Sequence, residues 1–522
     1  MYLNYRELDA DIIIIGADIA GLSAAYLLLE KDPHIDFLII DVDDKLDFSK
    51  KQYSSLWNLK WANNTKNKKK TKFADDPLQL DYQFVFSKQT NLVNLLHKLD
   101  IQIIEKDKML GKILIDYDKV YEVSTKENIL DLLNFHERTI LSSFCKQINY
   151  LAMTFSFGKR NTLSDFDDIS MNILLNRLIS SKKVRDLITQ TFLYNSGLQP
   201  KDVSASFFLA YCNSTQGIQT QFIWNEKGFH QFYIGGGVKN IRSKMIDVIG
   251  EESILKVSEI TEISWDDFSA GIRTPHDYFF ANKIVFTLNE NETKNITFVP
   301  PLSDEKQIIA NNLIKGKLKK FIVNYTKPFW VNKGLSGDAY VFNTDGRNGP
   351  LHVCLNVSKV TDNNYTLAGL TEEDSDKTEI LNQLVMYFGD EAANPESYFE
   401  NSSSFHELGF PYGCKSMKYF ENIQRTTERI VWASPETTTN WYGTAAGSIE
   451  AGYKGAIRAL QEAKPNTLTL DDLNIVSPNE VYIPPRATGF FGIQWHIFIP
   501  TLLLIVYGVV KVRRYFAKKL LK

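Results

Sequence analysis

Cysteine is scarce in this 522-residue chain. The four residues, Cys145, Cys212, Cys354 and Cys414, lie too far apart for a C-x-x-C zinc site or a dense disulfide framework. A reducing compartment is the natural reading. Positive charge is not in excess either: a formal net charge of −3 argues against a nucleic-acid binder, which presents a basic face. His34, His97 and His136 stand alone on ordinary segments, and no metal cluster or Ser/His/Asp set has convincing spacing. Internal repeats are absent. Met1 to Ala10 is polar and the run Ile12 to Ile15 is too short for a signal-peptide core, so no secretory signal is expected.

Long apolar runs are missing too, with one exception. Residues 489–510, GFFGIQWHIFIPTLLLIVYGVV, carry no formal charge when His496 is neutral. A bilayer core takes about 20 apolar residues as a helix. Trp495 and Tyr507 suit the two interfaces, and Lys511, Arg513, Arg514, Lys518, Lys519 and Lys522 follow as a basic tail. This pattern predicts a single C-terminal membrane anchor; the alternative is a buried terminal helix.

What remains has the composition of an ordinary globular protein, 44% hydrophobic and 23% charged, and is long enough for two or more domains. Ile12–Ile15 reads as a buried strand that ends at Gly16. Ala20 to Leu29 is helical in pattern, and Phe37–Ile40 is a second strand ending at Asp41. Strand, glycine turn, helix, strand and acid form the βαβ order that binds a dinucleotide. One position departs from G-x-G-x-x-G: Asp18 replaces the second glycine, where a pyrophosphate would approach bare backbone. Lys126–Ile148 and Ile169–Asn195 look helical, and Phe321–Val360 alternates strand-like runs with glycine turns. The basic run Lys66–Lys72 reads as a solvated loop.

Near the C-terminus, Arg429–Ser434 reads as a strand, followed by PETTTNWYGTAAGSIEAGYKGAIRAL (435–460). Gly443, Gly447 and Gly452 fall along the start of a helix. Small residues there serve either of two ends, close approach of a ligand to the helix N-terminus or tight helix packing. The residues alone leave both open.

These segments together resemble the flavin-containing amine oxidases, and monoamine oxidase most nearly. The βαβ unit is similar to that family's FAD turn, and WASPETTTNWYGTAAGSIEAG to its C-terminal flavin motif. GFHQFYIGGGVKNI (228–241), KLKKFIVNYTKPFW (317–330) and FPYGCKSMKYF (410–420) resemble three further family segments in the same order. The resemblance spans roughly residues 10–515.

It implies an α/β fold: a Rossmann-like, doubly wound FAD-binding domain with an inserted α+β substrate domain and a C-terminal transmembrane helix. The FAD-binding domain would comprise 1–95, 226–300 and 409–465, and the substrate domain 96–225 and 301–408. A linker (466–488), the anchor (489–510) and the basic tail (511–522) complete the chain. The resemblance also assigns roles. Gly16, Ala17 and Gly21 would line the FAD pyrophosphate turn, and Asp41 would take the ribose hydroxyls in place of the family's glutamate. Lys320 falls at the lysine that holds a water against flavin N5. Strand alternation puts it with Leu318, opposite Lys317 and Lys319. Cys414 falls at the position of covalent flavin attachment. Glu436, Trp441, Gly443 and Thr444 would surround the flavin, with Glu450 on the closing helix.

The implied reaction is oxidation of a small amine by oxygen to an imine, hydrolysed to an aldehyde, with release of hydrogen peroxide. The implied setting is the mitochondrial outer membrane, with the endoplasmic reticulum as the alternative, facing the cytosol in either case and with a homodimer allowed. Departures from the family accumulate near the flavin. Its two substrate-facing aromatic rings correspond to Lys415 and Thr444, and a double glycine corresponds to Asp81-Tyr82. Its arginine-and-glycine segment is not recognisable in DDKLDFSKKQYSSL (43–56). Two functions therefore stand: an FAD-dependent amine oxidase with an altered pocket, or a non-catalytic relative acting as a membrane-tethered binding protein.

Overall fold

The strand Arg6–Ile15 lies in the middle of an eight-stranded sheet. It pairs in parallel with Phe37–Val42 on one side and with Asp277–Phe286 on the other. Ile254–Val257 extends the parallel set beyond Phe37–Val42, and Ile430–Trp432 pairs with Asp277–Phe286. Ile12 to Ile15 are all fully buried because both faces of this sheet are covered. Ile12 and Ile14 pack with the helices Ile19–Lys31, Gly237–Ile249 and Ala445–Ala463. Ile13 and Ile15 pack on the opposite side with Trp265, Ile272 and Phe279 of an antiparallel meander. A run of β-branched residues suits a strand with two buried faces.

The computed structural model describes residues 6–42, 84–105, 111–116, 119–123, 130, 133–157, 164–222, 232–288, 292–342, 349–358, 365–401, 408–413 and 427–476. All of them fall within Met1–Tyr482, the first of the chain's two units. Among the described residues no helix is long and apolar enough to cross a membrane. The anchor expected at 489–510 lies outside the described residues.

A second, seven-stranded sheet is mostly antiparallel. Leu318–Tyr325 runs between Ser397–Asn401 and Tyr365–Glu372, and Leu351–Asn356, Leu335–Val341, Gly111–Asp116 and Lys119–Val123 complete the order. One face meets Lys377–Phe388 around Phe321, Val323 and Trp330. The other meets the helices Phe135–Ala152, Met171–Leu178, Lys182–Ser196 and Ala205–Ser214 in the largest buried cluster.

Two helical segments differ from the sequence pattern. The first helix of this layer begins at Phe135, not Lys126, because Asn134 and Glu137 form a reciprocal capping box. The stretch 169–195 is two helices, since Ser181 caps a new start at Lys182.

The helix Ala445–Ala463 crosses Ile19–Lys31 at backbone contact. A Cβ on Gly452 would lie 2.1 Å from the carbonyl oxygen of Ala20, and one on Gly447 would lie 2.4 Å from that of Trp441. At Gly447 and Gly452 the role filled is tight packing against backbone.

Gly452→Ala would gain about 1 kcal/mol of helix propensity. The contact is with backbone that cannot retreat, so overpacking of about 1–3 kcal/mol should prevail. A lower urea midpoint at unchanged m-value is the expected result; a midpoint equal to or above that of the parent would refute the close-contact account.

Candidate functional site

The parallel strands end at one edge, and that edge gathers the first group of residues. In open α/β sheets ligands bind in the crevice beyond the carboxyl ends of the strands. Gly16 follows the first strand with φ +106° and donates its amide to Ile40 O at 2.8 Å. A Cβ at Gly16 would meet Thr287 Oγ1 at 2.3 Å, and one at Gly21 would meet Gly16 O at 2.0 Å. The turn therefore closes only with glycine at both positions. Thr287, directly after Asp277–Phe286, donates from Oγ1 to Ile15 O at 2.7 Å and fixes the turn from the neighbouring strand. Asp41 stands at the same edge in register with Lys256, and the alternation of Phe37 and Ile39 puts it on the helix-covered face.

Asp18 does not point a bare charge into the crevice. Its backbone is extended (φ −77°, ψ −173°), and it is the N-cap of Ile19–Lys31. Oδ1 accepts from the Gly21 amide at 2.9 Å and lies 3.2 Å from Thr287 Oγ1, whose single hydrogen it shares with the nearer Ile15 O. The carboxylate thus takes one of the amides that a helix N-terminus leaves open. On the other side of the turn, Arg242 of Gly237–Ile249 donates from Nη2 to Ala17 O at 3.0 Å.

The C-terminal segment reaches the same edge after Ile430–Trp432. Ser434 and Glu436 are buried there. Trp441 has φ +57°, an unusual conformation for a bulky residue. Its amide donates to Ser214 O at 2.8 Å, and its carbonyl accepts from Thr444 N at 3.1 Å and Thr444 Oγ1 at 2.7 Å. The consequence is a division between neighbours. Trp441 packs edge-on to Phe86 (centroids 5.8 Å) in the core of the first sheet. Tyr442 stacks on Phe157 (4.3 Å) in the core of the helical layer. Gly443 turns with φ +72°, and Thr444 caps Ala445–Ala463 by accepting from the Gly447 amide at 3.3 Å. Glu450, buried on that helix, accepts from Lys454 Nζ at 2.5 Å, Thr439 Oγ1 at 3.2 Å and Asn440 Nδ2 at 3.4 Å. It holds the loop before the helix through side chains rather than backbone.

Lys320 lies on the second sheet and is buried. Its cross-strand partner Leu370 and its same-face neighbour Leu318 both belong to the cluster that contains Tyr442 and Phe410. Lys319 faces the other way, donating to Ser375 O and pairing with Glu400 at 3.5 Å. Cys414, Lys415 and Asp81 lie outside the described residues. The segment leading to Cys414 is anchored by Gly413, whose amide donates to Asp167 O at 2.7 Å, and by Phe410, whose carbonyl accepts from Ser204 N at 2.8 Å. Burial pushes the Cys145 thiol up to about 12 and raises Cys212 and Cys354 well above the ordinary value, so these three stay protonated.

Gly16, Ala17, Gly21, Asp41, Glu436, Trp441, Gly443 and Thr444 thus belong to the strand ends or to the segment that follows them, while Lys320 stands on the second sheet. Sequence reasoning passed over Thr287, Ser434, Arg242 and Lys454. Arg242 had a signal: it lies four residues after buried Val238 and three before buried Met245, on the apolar stripe of its helix. The crevice fits a dinucleotide. Its turn is a cradle that a Cβ at Gly16 or Gly21 would fill, and Ser434 Oγ and Arg242 Nε are buried without a hydrogen-bond partner among the described residues.

Residues 65–460 match the family model for flavin-containing amine oxidoreductases. Flavin-containing amine oxidase B of Homo sapiens is 23% identical, over 95% of this chain and 94% of that protein. Flavin-containing amine oxidase A of Equus caballus is 20% identical, over 85% and 84%. Among solved structures, a putrescine oxidase bound to putrescine superposes with TM-score 0.74 at 17% identity, covering 87% of this chain and 100% of that one. A cyclohexylamine oxidase from Brevibacterium oxydans gives TM-score 0.72 at 21% identity, covering 87% and 99%.

The Glu450–Lys454 pair is testable apart from any ligand. Lys454→Met leaves a buried carboxylate without its cation and should cost about 3–5 kcal/mol. The double variant Glu450→Gln, Lys454→Met should recover most of that loss in chemical denaturation. Equal stabilities for the single and double variants would show that the pair is not coupled.

Proposed function

Because the chain belongs to the flavin-containing amine oxidoreductase family, whose cofactor is FAD, we propose that it oxidises a small amine to an imine, hydrolysed to an aldehyde, with release of hydrogen peroxide. One observation carries this reading: the Gly16–Gly21 turn and the segment from Ser434 to Thr444 converge on one crevice at the carboxyl ends of the parallel strands. Bound FAD supplies a two-electron acceptor for the amine Cα–H bond, with oxygen as the final acceptor.

The chain's own residues bind and orient. Gly16, Ala17 and Gly21 take the pyrophosphate, Asp41 the ribose hydroxyls, and Glu436, Trp441, Gly443 and Thr444 the flavin end. Lys320 Nζ holds a water at the reacting face, and Cys414 is the candidate for a covalent bond to the cofactor. Phe157, Phe207, Tyr211, Phe410 and Tyr442 form a buried aromatic cluster beside the Trp441–Tyr442 step. Such surroundings exclude bulk water and favour the neutral form of an amine, the form that can be oxidised.

We assign 489–510 to a single membrane anchor with the body facing the cytosol, and the mitochondrial outer membrane is the favoured site. The run of uncharged residues and the basic tail support this. Imaging a fusion of residues 480–522 tests it; a signal spread through the cytosol would reject the anchor.

The spectrum of the purified protein, expressed with ample riboflavin, tests the enzyme reading. A flavin band and amine-dependent peroxide are expected. No flavin band would favour the non-catalytic binding protein. Acid precipitation should leave the yellow colour with the pellet if Cys414 is bonded to the flavin; colour in the supernatant would rule that bond out. Lys320→Met should lower turnover by about tenfold or more while KM for the amine shifts by less than about threefold. Unchanged turnover would remove Lys320 from the reacting face.

A further inference from the structure

We propose that Arg242 is the cation that binds the cofactor's pyrophosphate in this chain, offsetting the carboxylate of Asp18. The inference rests on the FAD reading above and concerns which side chain makes that cofactor's charge acceptable at an altered turn.

Asp18 creates the need. Its carboxylate accepts from the Gly21 amide, so the N-terminus of Ile19–Lys31 already carries an anion. A pyrophosphate brought to the same turn meets a like charge as well as the remaining open amides. A cation close to Ala17 and Asp18 removes that conflict. The usual place to look is the chain after the second strand. DDKLDFSKKQYSSL (43–56) offers Lys45, Lys50 and Lys51 as point charges but no arginine, and none occurs anywhere between Arg6 and Arg138.

Arg242 is brought to the turn by another part of the chain. Val238, Ile241, Met245 and Ile249 bury one side of Gly237–Ile249, and Ser23 Oγ donates to Met245 Sδ at 3.9 Å, which fixes that side against Ile19–Lys31. Arg242 sits at the edge of this stripe and is half-buried. Its Nη2 donates to Ala17 O at 3.0 Å, one residue before Asp18. Its Nε is buried and has no hydrogen-bond partner among the described residues. A guanidinium has five donors in a planar fork suited to two phosphate oxygens at once. One edge of this fork is tied to the turn, which fixes its position, and the buried Nε–H is a donor left for an incoming acceptor. A lysine at 242 would keep the charge but lose the planar geometry.

The test uses full-length apoprotein in a Cys414→Ala background, so that FAD binds reversibly, with Kd from quenching of flavin fluorescence at about 0.05 M and about 0.3 M salt. Arg242→Gln should raise Kd about tenfold or more at low salt, and its Kd should depend less on salt than that of the parent. Arg242→Lys should fall between the two. Asp18→Asn, with Arg242 in place, should lower Kd several-fold. An Arg242→Gln Kd within about twofold of the parent would overturn the proposal, and so would weakened binding with the parent's full salt dependence. Thermal melting of each apoprotein monitors folding. If Arg242→Gln fails to fold, Asp18→Asn decides, and a Kd no lower than that of the parent overturns the assignment. A parent protein that binds no FAD would overturn the enzyme reading along with this one; binding that is intact but indifferent to residue 242 overturns this one alone.

Discussion

Two consecutive side chains, Trp441 and Tyr442, hold the two halves of the molecule to one another. Trp441 goes into the core under the parallel sheet and Tyr442 into the core of the helical layer. Here the pair diverges at a sharp turn rather than along a strand, and Trp441 takes a positive φ to make it. Strain of that kind costs about 1–3 kcal/mol and survives only where the surroundings over-determine it. Here they do. The Trp441 amide is held by Ser214 and its carbonyl by Thr444, and Gly447 leaves room for that carbonyl where any Cβ would collide.

Much of the C-terminal helix follows from this step. With Thr444 committed to the Trp441 carbonyl and the Gly447 amide, Ala445–Ala463 must start there and run back across Ile19–Lys31. The crossing is close enough that Gly452 meets the backbone of Ala20, so the helix that follows one turn lies against the helix that begins the other. Glu450 and Lys454 then fix the incoming loop from the helix side through Thr439 and Asn440. A buried ion pair is seldom a net source of stability. Its value here is positional, because the loop it holds is the one that delivers Trp441.

The sequence made local features legible and left tertiary ones ambiguous. Four β-branched residues before Gly16 announced a strand covered on both faces, because only such a strand tolerates an uninterrupted apolar run. Alternation separated Lys319 from Lys320, since period two is a property of the strand itself. The break at Ser181 was harder, because 169–195 keeps a helical apolar pattern across it and only the cap reveals the restart. The glycines of 443–452 were ambiguous for a different reason. A glycine records that something comes close but not what, and the backbone of Ala20 lies more than four hundred positions earlier in the chain. The Glu450–Lys454 spacing was visible as i, i+4, yet its purpose depended on a loop whose path no pattern gave. The membrane anchor and Cys414 rest on sequence alone.

Asp18 shows that a departure from a binding motif does not by itself abolish binding. A glycine at the second motif position keeps side-chain atoms out of a pyrophosphate's path, so an aspartate there reads first as repulsion. At an N-cap, however, aspartate is among the preferred residues, and its carboxylate accepts the amide of the third helical position. The amides of Ile19 and Ala20 belong to the first turn and have no carbonyl four residues back within the helix. The substitution therefore stabilises the helix of the binding turn while adding a negative charge beside it. These effects act on different states: capping favours the fold with or without ligand, whereas repulsion acts only when the anion arrives. A cation at Ala17 can cancel the second without disturbing the first, and Arg242 is placed where that cancellation has to occur.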